Sequence, residues 1–473
     1  MGLWFMVLSA VLLGVALRVF VGLGPHSGQG VPPLYGDFEA QRHWMELTAA
    51  LPVGQWYAYD LPYWGLDYPP LTAFHSLALG WLGLRVAPAS FAFEASRGAE
   101  DAATRQFMRW SVVASDLLTY IPAVVLFALL QEERDARACL LWGLLQPGLL
   151  LIDHGHFQFN GVCLGLVALA VVLVTRGHQL LGSACFVLAL NFKHMALYFA
   201  PCFFVFLLSR NVSADLPRSV WRVAQIGVAV VAAFALLWLP LFVSGSAGAA
   251  VARLFPVGRG IFEDKVANAW CALGPLFRFK ESEKKRCIGL TCSLQERFSP
   301  EALFRGAAAA TLAAMAPSCA LLFRAPTLRM FLLSLANVSL AFFLCAFQVH
   351  EKSILMPLLP VTLLAGRHPA LATWFSTVAC FSMFPLLQRD GLAVAYAAAQ
   401  VALAAFGSWS WWGRAATLLP VLACHALMAL VPPPVRLPHL WIMACVCVSF
   451  LHFAAAFGVL LWLQWKEAKV KVE

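Results

Sequence analysis

Apolar runs long enough to cross a bilayer recur along this chain from Leu3 to Leu463, and no other feature restricts its fold as tightly. A spanning helix needs about 20 mostly apolar residues, and only a structure that satisfies its own backbone can cross lipid. Of the 473 residues, 61% are hydrophobic and 12% charged, against about 25% charged in soluble domains. The chain therefore reads as an all-α polytopic membrane protein. Candidate spans fall near 3–23, 107–130, 139–153, 161–175, 179–192, 195–209, 222–243, 303–323, 328–348, 353–365, 370–387, 391–410, 415–432 and 438–463, about 14 transmembrane helices in all. Several are short for a full span, which suits broken or re-entrant helices covered by protein or water. The first run lacks a basic leader and carries Arg18 near its far end, so it reads as a retained span. Seventeen Trp and 36 Phe suit interfacial belts and contacts with membrane lipids.

The net charge of +9 does not imply nucleic acid, because the basic residues are scattered between apolar runs. With a cytosolic N-terminus, short loops on that side hold Arg134, Arg137, Arg176, Arg210, Arg218, Arg222, Arg324, Arg329, Arg367 and Arg414, and opposite loops only Lys193, Lys352, Arg389 and Arg436. The positive-inside bias places both termini in the cytosol and two long loops, 24–106 and 244–302, in a lumen. The tail reads KVKVE, which resembles a dilysine signal for retrieval to the endoplasmic reticulum; a basic cytosolic flank is the alternative. The sequons at Asn211 and Asn337 fall on the cytosolic side and inside a span, so neither is expected to carry a glycan. Most of the 13 Cys lie in apolar runs and act as small hydrophobes. Cys271, Cys287 and Cys292 share a polar loop, where a bridge between two of them is an option in an oxidising lumen.

Chemistry concentrates in a few stretches. Residues 35–75 carry Asp37, Glu39, Arg42, His43, Glu46, Asp60, Asp67 and His75. Phe38, Trp44, Met45 and Leu47 recur at helical spacing, which predicts a short amphipathic helix on the membrane surface. Asp37 at its start reads as an N-cap and, compatibly with that, as a general base kept ionised by the helix dipole. Tyr63-Trp64-Gly65-Leu66-Asp67-Tyr68-Pro69-Pro70 is either a sugar-binding aromatic face or a rigid turn. Asp153-His154-Gly155-His156 invites a metal reading, but neighbouring residues converge poorly on one ion. Lys193 snorkels to the interface or serves a site. Arg259 begins a mixed stretch of cations, acids and Trp270, followed by a KESEKKR run that reads as a solvated face. His350-Glu351-Lys352 suits the phosphate of a lipid carrier, or a snorkelling Lys with a local partner.

Five of these stretches together, GDFEAQRHWMELT, YWGLDYPPLTAFHS, LIDHGHFQFNGVCLG, RLFPVGRGIFEDKVANAWC and QVHEKSILMPLLP, resemble the dolichyl-phosphate-glucose-dependent glucosyltransferases of lipid-linked oligosaccharide assembly. Gly155 and Phe157 are closer to the branch adding the first glucose to Man9GlcNAc2-diphosphodolichol than to the branch adding the second. The resemblance implies a GT-C-type bundle in the endoplasmic reticulum membrane, with luminal interfacial helices. Residues 1–365 would form the catalytic module, 366–465 further transmembrane helices, and 466–473 a cytosolic tail. It also implies an inverting α-1,3 transfer from dolichyl phosphate glucose. No metal or other cofactor is expected, because His and basic side chains can hold the lipid phosphate and no convincing acidic ligand cluster stands outside the Asp153–His156 stretch. Asp37 would be the catalytic base. His350, Lys352, Arg259, Glu351, Asp67, Trp64, Asp153, His154, His156 and Lys193 are the candidates for holding donor phosphate or substrate. The competing class is a lipid-linked sugar transporter or flippase, which usually shows repeated halves around a midplane site.

Overall fold

A computed structural model of the chain describes residues 3–255, 265–273 and 299–470, and every regular element among them is helical. Eight of these helices are long and apolar enough to cross a membrane: Trp4–Gly22, Ala102–Leu129, Glu133–Phe157, Leu216–Val243, Glu301–Arg324, Leu328–Cys345, Trp411–Leu430 and Leu440–Lys469. Three shorter apolar helices are Asn160–Thr175, Gln179–Phe192 and Ala393–Phe406. The remaining candidate spans are broken: 195–209 begins as a turn of 3₁₀ helix, 353–365 yields a helix only over Leu355–Leu363, and 370–387 divides after Ser382. The chain forms two compact units. One comprises Met1–Leu197, Asn211–Val257 and Leu387–Ala395; the other comprises Tyr198–Arg210, Gly258–Leu386 and Tyr396–Glu473.

In the first unit, α1 (Leu3–Gly22) leads into the polar loop, where α2 (Gly36–Ala50) and α3 (Pro70–Val86) pack on each other. Next come α4 (Ala102–Leu118), α5 (Tyr120–Leu129), α6 (Glu133–Leu144), a wide π-helical turn over Leu150–Phe157, and the hairpin of α7 (Asn160–Thr175) and α8 (Gln179–Phe192). Charge inside such a bundle must be paired. Arg18 of α1 is buried, and its Nε donates to Asp116 Oδ2 of α4 at 2.7 Å. Its Nη1 donates to the Leu144 carbonyl at 2.8 Å, one of the acceptors that the end of α6 leaves without an intrahelical donor.

The expected amphipathic surface helix is instead buried on all sides. Phe38, Trp44, Met45 and Leu47 are covered, and so are Glu39, Arg42, His43 and Glu46. The polar face of α2 is covered because its charges pair. Arg42 forks onto Glu39 through two bonds of 2.6 Å, reaches Glu46 at 2.7 Å, and donates to the Ser90 carbonyl and Ser96 Oγ. Burial works against both charges, yet Glu39 raises the Arg42 guanidinium above its ordinary value. His43 and Arg42 likewise overcome burial to hold the Glu46 carboxyl at about 2. The apolar face of α2 packs with Trp56, Tyr57 and Leu66 against Leu241, Ala247 and Ala250.

In the second unit, Leu328–Cys345 is buried along nearly its whole length. Ser318, Ser334 and Asn337 converge on Gln464 there: Ser318 Oγ and Asn337 Nδ2 donate to its Oε1 at 2.7 and 3.2 Å, and its Nε2 donates to Ser334 Oγ at 2.6 Å. Asn337 of the second sequon is thus wholly enclosed. Asn211 of the first, in the other unit, is also buried and donates to Gln179 Oε1 at 2.7 Å.

Candidate active site

The start of α2 is set by a tight crossing of backbones. Gly36 has φ +68°, and a Cβ there would stand 2.6 Å from the Ser27 carbonyl carbon and 2.7 Å from the Gly28 nitrogen. Only glycine fits so close an approach at positive φ. Ser27 then caps the helix from a distance: its Oγ accepts the Phe38 N–H at 3.0 Å. Tyr35 occupies the N-cap position without a side-chain bond. The N-cap reading of Asp37 is therefore corrected. Asp37 lies in the first turn, with its carboxylate turned toward the segment before α7.

There Gln158 Nε2 donates to Asp37 Oδ2 at 2.6 Å, and His156 Nε2 lies 3.1 Å from the same oxygen. The Asp37 side chain is 28% exposed, whereas that of His156 is 2%. Gln158 is oriented in turn: its Oε1 accepts from Lys193 Nζ at 3.0 Å and from Asn160 Nδ2 at 3.0 Å. Lys193 also donates to Asn160 Oδ1 at 2.5 Å and sits 5.1 Å from the Tyr68 ring centroid. At 3% exposure this lysine does not snorkel; its ammonium is held by side-chain oxygens inside the protein. Burial first, then the charges of Asp37, Asp67 and Asp153, push the Tyr68 phenol well above its ordinary value. Tyr68 therefore stands among three carboxylates and the lysine.

The Asp153–His156 turn sends its side chains apart, as its widened helix dictates. Asp153 accepts from Asn160 Nδ2 and from the Gly161 N–H, both at 2.6 Å, and so caps α7. His154 pairs with Asp116 at 3.0 Å, beside Arg18. His156 alone reaches Asp37. Both Asp153 and His154, candidates for substrate contact, are thus turned onto protein partners.

Trp64 donates from Nε1 to the Leu34 carbonyl at 2.6 Å, and its own carbonyl accepts from Trp44 Nε1 at 2.9 Å. Arg253 clamps the same loop by donating to the Gly65 carbonyl at 3.0 Å. Asp67 is half-buried there; after burial, its charge is the second cause pushing the Tyr57 phenol up. His350, Glu351 and Lys352 lie in the second unit, half-buried at the start of a 3₁₀ turn over Glu351–Ile354. Within that unit Trp270 donates to the Cys345 carbonyl at 2.9 Å, tying the end of the FEDKVANAW stretch close in sequence to His350. Arg259, the KESEKKR run, Cys287, Cys292 and the last three residues of the tail lie outside the described residues.

A partly exposed carboxylate with fixed donors on one oxygen is equipped to take a proton from a hydroxyl. The sequence pattern of the ALG6, ALG8 glycosyltransferase family matches residues 14–459. The chain belongs to this family. Among its relatives is the dolichyl pyrophosphate Man9GlcNAc2 alpha-1,3-glucosyltransferase of Gallus gallus, 39% identical over 98% of this chain and 98% of its own. The protein of that name from Saccharomyces cerevisiae is 39% identical over 96% of this chain and 89% of its own. A probable one from Drosophila melanogaster is 40% identical over 96% and 97%. As a family member the chain is a multi-span membrane glycosyltransferase, and Asp37, Gln158, His156 and Lys193 all lie within the matched region. Two members of the constellation carry no sequence assignment. Gln158 stands inside the DHGHFQFNG stretch, which marked its neighbourhood; Asp390, 2.5 Å from His156 Nδ1, had no local signal.

Proposed function

We propose that this glycosyltransferase moves glucose from dolichyl phosphate glucose to Man9GlcNAc2 on dolichyl pyrophosphate, forming an α-1,3 bond at the luminal face of the endoplasmic reticulum membrane. The carrying observation is the Asp37 carboxylate, partly open at the start of α2 and anchored through Oδ2 by Gln158 and His156. Near-full-length relatives named for that acceptor support the substrate. The charge bias of the short loops and the KVKVE tail support the location.

Asp37 takes the proton of the acceptor 3-hydroxyl as that oxygen attacks the anomeric carbon. The bond from that carbon to the phosphate oxygen breaks, and dolichyl phosphate leaves with the electron pair. A β-linked donor then gives an α product in one displacement. The leaving group is already a stable anion, so a glycosidase-type second carboxylic acid is not needed. His350, Lys352 and Arg259 are proposed to stabilise its charge. No metal enters this scheme, and the Asp153–His156 turn supports that, since its three polar side chains engage separate protein partners.

The test is transfer by purified protein from synthetic dolichyl phosphate glucose to a short-lipid Man9GlcNAc2 diphosphate, with and without EDTA. One α-1,3-linked glucose, insensitive to EDTA, is expected. Transfer only to an acceptor already carrying one glucose would place the protein at the second step. Activity lost to EDTA and restored by manganese would put a metal into the reaction.

A further inference from the structure

Asp390 stands 234 positions from His156 in the chain, yet its Oδ2 lies 2.5 Å from His156 Nδ1. Its side chain is 3% exposed. On the other side of the same ring, Nε2 faces Asp37 Oδ2 at 3.1 Å. A neutral imidazole has one donor and one acceptor, so only a ring protonated on both nitrogens matches two ionised carboxylates. With a bare Nε2, the ring would set a lone pair against the Asp37 carboxylate. The two carboxylates hold the ring from both sides, so its direction is fixed between Asp37 and Asp390.

The surroundings hold this arrangement without competing for it. Arg109 is occupied by the carbonyls of His154 and Gly155, at 2.5 and 3.0 Å, and of Gly24 and Pro25, both at 3.1 Å. The Ser27 N–H donates to the His156 carbonyl at 3.0 Å. His26 stacks on Phe38 with ring centroids 3.8 Å apart. Gly155 admits the Asp390 segment, since a Cβ there would stand 2.9 Å from Leu392 Cδ1 and 3.4 Å from Val21 Cγ1.

We propose that Asp390 is a positioning residue for glucosyl transfer: acting through His156, it fixes the imidazole that aims the Asp37 carboxylate. This rests on Asp37 being the base. Neither Asp390 nor His156 exchanges atoms with substrate; the acceptor proton goes to Asp37 as before. Without Asp390 the ring loses its anchor, and Asp37 is left to the Gln158 bond and its remaining neighbours.

The experiment is a double-mutant cycle on purified full-length protein, reading kcat and KM for dolichyl phosphate glucose. Asp390→Asn is expected to lower kcat about 10- to 10²-fold, with KM changed less than about threefold. Loss of the buried Asp from a serine-protease triad costs about 10⁴-fold; the effect here is smaller because His156 is not itself the base. In a His156→Ala background, Asp390→Asn should cost less than about twofold more. A residue that merely braced the fold would give multiplying losses and a parallel drop in thermal stability. Multiplying losses, or wild-type kcat in Asp390→Asn, overturn the proposal. Asp390→Ser is carried through the same cycle, so that a folding defect in one variant does not decide. Asp390→Glu, which keeps the charge, should outperform both; the reverse order also overturns the proposal. Asp37→Asn is measured alongside. If it stays active, the base assignment has failed; if it is inactive while Asp390→Asn is normal, only the role of Asp390 has failed.

Discussion

Replacing Asp37 by Asn separates chemistry from architecture, because the structure states what Asn keeps. The amide oxygen can still accept from Gln158 and His156, now 2.6 and 3.1 Å from Oδ2. The helix start does not depend on this side chain, since Ser27 satisfies the Phe38 N–H. What changes in the fold is the loss of the carboxylate's charge from two bonds, about 1 kcal/mol each. That totals about 2 kcal/mol for the two donors, a modest loss for a chain this size. What changes in the reaction is the proton acceptor, and removing a general base costs about 10²- to 10⁴-fold. In barrier height that is about 2.7 to 5.5 kcal/mol, well above the structural cost. Single-turnover transfer from dolichyl phosphate glucose, with donor binding measured separately, is the assay. Asp37→Asn should bind donor within about threefold of wild type and turn over at least ~10²-fold more slowly. Asp67→Asn is the control, because Asp67 sits in the aromatic loop beside Tyr57. Near-normal turnover in Asp37→Asn with loss in Asp67→Asn, both folded, would move the base to Asp67. If both variants stay active, a single carboxylate base in this loop is refuted.

Further outcomes follow from the same geometry. Gly36→Ala meets the Ser27–Gly28 backbone, which cannot yield; it should destabilise by about 2 kcal/mol or more, seen as a lowered melting temperature in detergent, along with lost activity. Lys193→Met removes the donor shared by Gln158 and Asn160 and should lower kcat more than donor affinity, while costing about 1–3 kcal/mol in stability. Burial lowers the His26 imidazole from 6.5 to about 4, so the unfolded chain binds the extra proton and stability should fall as pH drops from 6.5 toward 4. Glu46, held at about 2 against an ordinary 4.5, adds a second loss between those values. His26→Asn should remove the first loss only, read by unfolding against pH. Val470→Cys should be labelled by an impermeant maleimide from the cytosolic side of microsomes; labelling only from the lumen would invert the topology.

The class of fold was readable because lipid imposes it: apolar length and sparse charge leave helices as the solution, and long runs such as 222–243 became single helices. Short runs were harder. The 353–365 stretch is as apolar as a span, but its helix covers only Leu355–Leu363. In α2, alternating polar and apolar residues suggested a membrane surface, because periodicity reports which face is polar and not whether that face is paired. Asp37 was legible as the leading carboxylate of its loop and through resemblance. Its partners were unequally so. His156 and Gln158 share a polar turn that stood out from hydrocarbon. Asp390 sits in a stretch that otherwise adds only hydrophobicity, and a contact across 234 positions leaves no local pattern.

The pairing of Arg42 with Glu39 and Glu46 also bears on the order in which the protein is assembled. Its partners lie three residues before and four residues after it on one helix. The ions can therefore meet as soon as α2 coils, before the later spans exist. What then enters the interior is a ready-made ionic cluster, which is less costly to dehydrate than separate charges. The closing step falls to the stretch holding Ser90, Glu94 and Ser96, whose groups supply the remaining bonds to Arg42 and Glu46. A lesion in that stretch would leave α2 formed but undocked. The fault would show as protein retained and degraded during biogenesis, with normal turnover in whatever fraction matured.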